Sequence, residues 1–410
     1  MMSSSLQEET TIIDDSTSSS HLDSDGTTAT TSKYAPQASD SNIDEEGVNG
    51  TLETIAGLMG NVLEWYDFAL FGYFSDVIGE VFFAPSTGNN LMKSFAVYGG
   101  AFLMRPIGGI VLGHFGDKYG RKQAVVPSLF MMSFFTFLLG CLPTYEQIGD
   151  WSTALLVICR LFQGGKDHHP NRGVHDHEDN EENECHEKFP LRNVLKKENL
   201  PALLSATLTP MLFGAGFYTS FVWMATYMQI LLEPGIENAF WVNAMALLFG
   251  VVLILPLTGM LSDRIGRNYT MICGAISLGI LGPLLFWVIS LSEAVSAFFA
   301  QWMIGVLLSV FGGPMNAWLV ERFPPNVRLT SAALGYDLAH CTASAFSPLI
   351  ATVLVEQVGP VAPAAIYPFF AVIAIIGMLI STKINQEGGI EEEEDDLDTT
   401  IDDELSAALL

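Results

Sequence analysis

Nine apolar runs of bilayer length divide this chain, and an all-helical membrane protein is the fold they permit. They are Ile55–Ile78, Ser94–Phe115, Gln123–Leu142, Pro201–Leu232, Phe240–Leu261, Tyr269–Leu291, Val295–Leu319, Thr330–Val355 and Val361–Ile380. A helix needs about 20 apolar residues to cross the hydrocarbon core, since lipid offers its backbone no hydrogen-bond partner. A tenth run, Thr153–Gly165, is apolar except for Arg160. Half of the 410 residues are apolar and 15% are charged, too few polar groups to clothe a soluble protein of this length.

The net charge of −27 does not conflict with this reading. Of 45 acidic residues, ten lie in 1–50, nine in 166–198 and eleven in 384–410, so 30 fall outside the apolar runs. These segments read as solvated disorder: an N-terminal tail over 1–50, a linker over 166–199 and a C-terminal tail over 384–410. Residues 1–50 hold a single basic residue, Lys33, and no apolar stretch of the kind a secretory signal needs. The five cysteines (Cys141, Cys159, Cys185, Cys273 and Cys341) show no paired spacing, so no disulfide framework is expected.

Two turns between runs are near copies. Gly113, Asp117, Gly120 and Arg121 recur as Gly259, Asp263, Gly266 and Arg267, and Lys118 matches Arg264 in charge. A charged turn repeated inside a hydrophobic chain points to internal duplication. Lys and Arg in 116–122, 166–199, 262–268 and 320–329, with Lys383, account for 14 of 18 basic residues. The alternating segments 84–92, 143–150, 233–239, 292–294 and 356–360 contain none. The positive-inside rule therefore puts the first set and both termini in the cytosol, which requires an even number of spans. The glycosylation patterns at Asn49 and Asn268 fall on that same cytosolic side.

An even count makes Thr153–Gly165 a span, although its 13 residues reach only about 20 Å against a core near 30 Å. The repeat accounts for its shortness. From Gly259 the second copy extends 121 residues to Ile380; the same length from Gly113 reaches 234, yet the linker begins at 166, 68 residues early. The expected architecture is about ten helices, four in a truncated bundle over 51–165 and six in a bundle over 200–383.

The repeated turn resembles the signature of the major facilitator superfamily, transporters of two six-helix halves. Gly60-Asn-Val-Leu-Glu-Trp-Tyr-Asp-Phe68, Phe102-Leu-Met-Arg-Pro-Ile-Gly108 and Arg160-Leu-Phe-Gln-Gly164 resemble its metabolite:proton symporter family. Glu321-Arg-Phe-Pro-Pro-Asn-Val-Arg328 is similar to the turn that family places after its tenth helix. The likeness runs from about 55 to 382 and departs after Gly164, where the end of helix four and helices five and six should follow. It implies proton-driven uptake of citrate, 2-oxoglutarate, shikimate, proline or betaine by alternating access. It also implies that the family's first-helix acid and helix-four arginine fall on Asp67 and Arg160. The repeated turns, Gly113/Asp117/Gly120/Arg121 and Gly259/Asp263/Gly266/Arg267, would act as a conformational gate.

Intramembrane charges are costly unless paired or facing a watery cavity. Glu64 and Asp67, spaced i, i+3, share one face of the first helix, and Arg105 and Arg160 are their natural partners. These four are the expected proton-coupling or substrate residues, with a permanent structural ion pair as the alternative. Asp337 and His340 form a second i, i+3 pair, a proton site or a satisfied structural histidine. Tyr218, Trp223, Tyr227, Asn243 and Asn316 lie in second-half spans; Asn61, Tyr66, Tyr218 and Asn316 are expected to line the cavity.

Five of eight histidines lie in the linker, at 168, 169, 175, 177 and 186. Their irregular spacing among acids fits a solvated segment better than a zinc site, so no metal is assigned. A metal transporter or sensor using that linker, and a truncated product that inserts without transporting, stay open beside the symporter. No Walker loop, zincin helix or nucleophile elbow is present, so neither enzyme activity nor a cofactor is expected. The expected partners are a small metabolite, protons and the bilayer, with no nucleic acid; the expected form is a multi-pass monomer in the plasma membrane. Accessibility labelling should find residues 143–150 and 166–199 on opposite faces of the membrane; labelling from one face would sink the topology.

Overall fold

The computed structural model describes residues 66–85 except 68, 89–108, 121–164, 199–321 and 328–382, within one compact unit that begins at Leu52. The acidic tails, the linker, Asn61, Glu64 and the first copy of the repeated turn lie outside these residues, apart from Arg121, which opens a helix. Every regular element among the described residues is helical.

The first half supplies α1 (Ser75–Phe82), which continues a helical stretch from Tyr66, α2 (Asn90–Leu103), α3 (Arg121–Gly140) and α4 (Asp150–Gly164). Between α3 and α4 a short helical turn, Tyr145–Ile148, is closed by a capping box in which Thr144 and Gln147 satisfy each other's backbone. Six further helices are long and apolar enough to cross a membrane: α5 (Leu200–Leu231), α6 (Ala239–Ile265), α7 (Arg267–Ile289), α8 (Ala294–Glu321), α9 (Ala332–Gln357) and α10 (Ala362–Thr382). They coincide with the last six expected runs to within four residues at each end.

Lipid supplies no hydrophobic drive between helices, so close backbone packing and interhelical hydrogen bonds must hold them. The α6–α8 seam is built that way. A Cβ on Gly250 would lie 2.7 Å from the Trp302 carbonyl oxygen, and one on Gly313 2.7 Å from the Gly259 nitrogen. Because the backbones approach so closely, hydroxyls can stitch across: Thr258 donates to the Ser309 carbonyl at 2.7 Å, and Ser309 to the Gly250 carbonyl at 3.0 Å. On its other side α8 packs along α7, where Gly274 sits under the Phe311 backbone.

The outer surface is as apolar as the interior. Phe130, Phe137, Trp241, Ile280 and Phe369 are all more than 60% exposed. Such a surface would aggregate in water and is the ordinary lipid-facing side of a membrane bundle. The two halves meet along α2 and α9, where a Cβ on Gly99 would lie 2.6 Å from the Ala345 carbonyl oxygen.

Gly274→Leu should lower the thermal midpoint in detergent, because its new side chain meets the Phe311 backbone 2.7 Å from its Cβ; overpacking of this kind costs about 1–3 kcal/mol. Gly140→Leu, with nothing within 4 Å of its Cβ, should leave the midpoint unchanged.

Candidate functional site

Asp67 is 7% exposed, on the helical stretch that leads into α1. Arg160 and Gln163 are one turn apart on α4, a spacing that puts both on the same face, and they are 2% and 5% exposed. The three side chains meet. Arg160 Nη1 donates to Asp67 Oδ2 at 2.9 Å and to Gln163 Oε1 at 2.8 Å, while Gln163 Nε2 donates to Asp67 Oδ1 at 3.0 Å. Thr136 of α3 closes the ring, accepting from Gln163 Nε2 at 2.6 Å and lying 3.3 Å from Asp67 Oδ1. Its single proton is shared between that carboxylate and the Met132 carbonyl at 2.9 Å.

Both carboxylate oxygens are thus satisfied, and the guanidinium also stacks 3.6 Å from the Phe71 ring centroid. Arg160 Nε has no acceptor among the described residues, so the cation keeps one N–H for a further anion. Arg105, buried on the helical turn that follows α2, packs 4.6 Å over the Phe102 ring.

From this cluster an aromatic path crosses into the second half. Tyr98 of α2 is fully buried and within electrostatic reach of Asp67, Arg105 and Arg160. Its ring lies 6.2 Å from Tyr218 of α5, and Tyr218 in turn lies edge-on to His340 of α9 at 6.4 Å. His340 is stacked on Tyr336 at 4.0 Å and its Nδ1 is 3.0 Å from the Tyr336 carbonyl oxygen. Asp337 is 7% exposed, and it and Arg105 both lie within electrostatic reach of Cys341. Asp67 and Arg160 are therefore linked through Phe71, Tyr98 and Tyr218 to His340.

Other expected site residues fall elsewhere. Tyr66 is 60% exposed and Asn316 is also exposed, whereas Tyr218 is buried. The second copy of the repeated turn is well defined. α6 ends at Gly266, whose φ of 107° is open to glycine and strained for other residues, and Arg267 opens α7. Arg267 pairs with Asp263 one turn back at 3.2 Å and with Glu321 at the end of α8. These three border a cavity of about 600 Å³ together with Asn268, Tyr269 and Trp318. The turn thus ties α6, α7 and α8 at one end of the bundle.

Gln163, Thr136 and Tyr98 were not picked out individually from the sequence. Gln163 carried a usable signal, i+3 from a membrane arginine. Thr136 and Tyr98 carried none, because a lone hydroxyl in an apolar run has many harmless placements.

A family model described as "Sugar (and other) transporter" matches residues 52–165. A proline/betaine transporter of Salmonella typhimurium is 24% identical over 81% of this chain and 82% of its own length. An alpha-ketoglutarate permease of Escherichia coli is 25% identical over 80% of this chain and 92% of its own. A putative proline/betaine transporter of Staphylococcus aureus is 26% identical over 81% and 87%.

Residues 52–165 thus resemble the sugar (and other) transporter family, and most of the chain is similar to proline/betaine and alpha-ketoglutarate transporters. Its membrane-length helices make it a multi-pass integral membrane protein, and the relatives it matches are transporters and not enzymes. The alignment with the Salmonella transporter runs over 417 positions but takes in 81% of 410 residues, about 332, so about 85 positions have no counterpart here.

Arg160→Leu should destabilise the protein by about 3–5 kcal/mol, since it strands a buried carboxylate. Adding Asp67→Asn should recover much of that loss. Unfolding of the two single variants and the double variant measures the coupling, and strictly additive losses would mean that the pair is not a unit.

Proposed function

We propose that this chain is a proton-coupled symporter of a small organic acid or osmolyte, working by alternating access between a four-helix and a six-helix half. Both termini would lie in the cytosol of a cell whose plasma membrane holds the protein as a monomer. The domain limits are those read from the sequence: tails over 1–50 and 384–410, bundles over 51–165 and 200–383, and a linker over 166–199. Asp67, locked to Arg160 and Gln163 in the membrane interior, is the observation that carries this reading.

The chemistry follows from competition for one cation. With Asp67 ionised, Arg160 is neutralised inside the protein. A proton on Asp67 removes its charge and turns one oxygen from acceptor to donor, which releases the guanidinium toward another anion. Proline, betaine and alpha-ketoglutarate, the compounds named for the relatives, all carry a carboxylate that Arg160 could take in a forked pair. Proton and substrate then favour each other's binding, which is the coupling that symport needs. Glu64 and Arg105 are proposed as further members of the site, and Asp337 with His340 as a second proton site at the far end of the aromatic path. Asn61, Tyr66, Tyr218 and Asn316 would line the cavity. The repeated turns would latch one end, through Asp263, Gly266 and Arg267 after Gly259 in one copy and through Gly113, Asp117, Gly120 and Arg121 in the other.

A second reading has its own support. About 85 alignment positions without counterpart suit a chain lacking two helices, and such a chain could insert without transporting. Uptake of labelled proline, betaine and 2-oxoglutarate into proteoliposomes separates the two. Accumulation that collapses with a protonophore, and is abolished by Asp67→Asn in a folded protein, is the expected result. Undiminished proton-driven uptake by that variant would refute the assignment to Asp67. No uptake by the folded wild-type chain would favour the non-transporting form.

A further inference from the structure

The helix α5 is not a plain α-helix. Over Tyr218–Trp223 it widens into a π turn, in which each N–H reaches a carbonyl five residues back. One extra residue is thereby accommodated, and side chains beyond it turn by about 100° relative to an uninterrupted helix. A π turn also leaves carbonyl oxygens without a full complement of backbone donors. Inside lipid such groups need another partner.

Two side-chain amides supply it. Gln301 of α8 donates from Nε2 to the Ser220 carbonyl at 2.6 Å, and Asn243 of α6 donates from Nδ2 to the Phe221 carbonyl at 2.9 Å. The amides are joined to each other, Gln301 Nε2 donating to Asn243 Oδ1. Asn243 spends its second hydrogen on the Tyr73 hydroxyl at 2.6 Å, on the helix of the first half. Asn243 and Gln301 are both 0% exposed. Each nitrogen uses both hydrogens, and turning either amide over would set carbonyl against carbonyl, so the network has a single orientation. Gln301 Oε1 is left buried with no partner among the described residues, an unfavourable term the network tolerates.

We infer that Asn243 and Gln301 are positioning residues that hold the π turn of α5 and thereby aim Tyr218 at the polar cluster of the first half. The inference rests on the transport reading for its functional meaning, though the clamp itself does not. With the π turn in place, Tyr218 meets Tyr98, Phe102 and His340, while Val222 packs on Gly72 of the first half. An uninterrupted α-helix would satisfy one of these sets and turn the other away. Tyr73 links the clamp to the half that must move. Separation of the halves at Tyr73 loosens Asn243, the amides release the two carbonyls, and Tyr218 swings off Tyr98. The clamp therefore connects the inter-half contact at Tyr73 to the side chain that packs on Tyr98, which lies within reach of Asp67 and Arg160.

Cross-linking in the full-length protein tests this without needing transport. A Cβ on Gly72 lies 3.5 Å from Val222 Cβ, within the span of a disulfide, about 3.5–4.5 Å. A Cβ on Gly214, upstream of the π turn, lies 3.4 Å from Ser344 Cβ of α9. In a background whose five native cysteines are replaced, G72C/V222C and G214C/S344C should both cross-link under mild oxidant. Asn243→Leu or Gln301→Leu should then abolish the first cross-link and spare the second. Retention of G72C/V222C at the parental yield would overturn the inference. Loss of both pairs together would overturn it too, by showing a general loosening in place of a local change of register. Because the readout is a bond and not uptake, a protein that proves not to transport leaves this result intact.

Discussion

The ion pair between Asp67 and Arg160 is the interaction around which the rest of this molecule is arranged. Two opposite charges at 2.9 Å, both more than nine-tenths buried, cannot be separated inside lipid without several kcal/mol of cost. The surroundings remove each remaining liability. Gln163 and Thr136 complete the carboxylate, Phe71 covers the cation, and Tyr98 stands over the pair within reach of both charges. A purely structural pair would gain little from this, since an apolar substitute of similar volume is commonly as stable. An arrangement that leaves Arg160 Nε open to another acceptor suits a pair that exchanges partners.

Exchange requires that the change be felt elsewhere, and the fold offers a route in its irregular helices. Among the described residues, π segments interrupt α5 at Tyr218 and at Tyr227, α6 at Leu248 and α9 at His340. Two of them begin at residues of the aromatic path, Tyr218 and His340, which face each other. A π turn that converts to α-helix changes the direction of the side chains beyond it. Locating such defects at the contact between halves gives the helices a discrete way to re-aim without unfolding. The closely packed α7–α8 seam lacks that freedom, because the Phe311 backbone already sits against Gly274.

Much of this was legible in the sequence, and the limits have physical causes. Apolar run lengths located α5 to α10 because lipid forces the backbone to satisfy itself, so span length is nearly all that composition must encode. The Asp67–Arg160 pairing was legible because two charges in apolar runs have few other partners. Thr136 was not, since a lone neutral polar residue is tolerated almost anywhere in a bundle. The π turns left no sequence mark: Tyr218-Thr-Ser-Phe-Val-Trp223 reads as ordinary helix. In the turn at Tyr218 two carbonyls are met by Gln301 and Asn243, about 80 and 22 residues away along the chain. No local pattern can carry a contact of that separation.

The proposed four-helix first half raises the question of what two further helices would contribute. The polar cluster draws on the leading helix, α3 and α4, each of which is present. The contact between halves draws on α2 against α9 and on Tyr73 against Asn243, also present. At Gly164, the last described residue of α4, a Cβ would strike the Ala101 carbonyl oxygen, so this turn is braced by α2. Nothing in the cluster therefore waits on further helices for its geometry. What two more helices would add is enclosure: a wall between the site and lipid along the exposed side of α3 and α4, where Phe130, Phe137 and Phe162 now face outward. The pair forms without those helices, while on the proposed function containment of a water-soluble cargo would rest on how well lipid, in place of protein, seals that side.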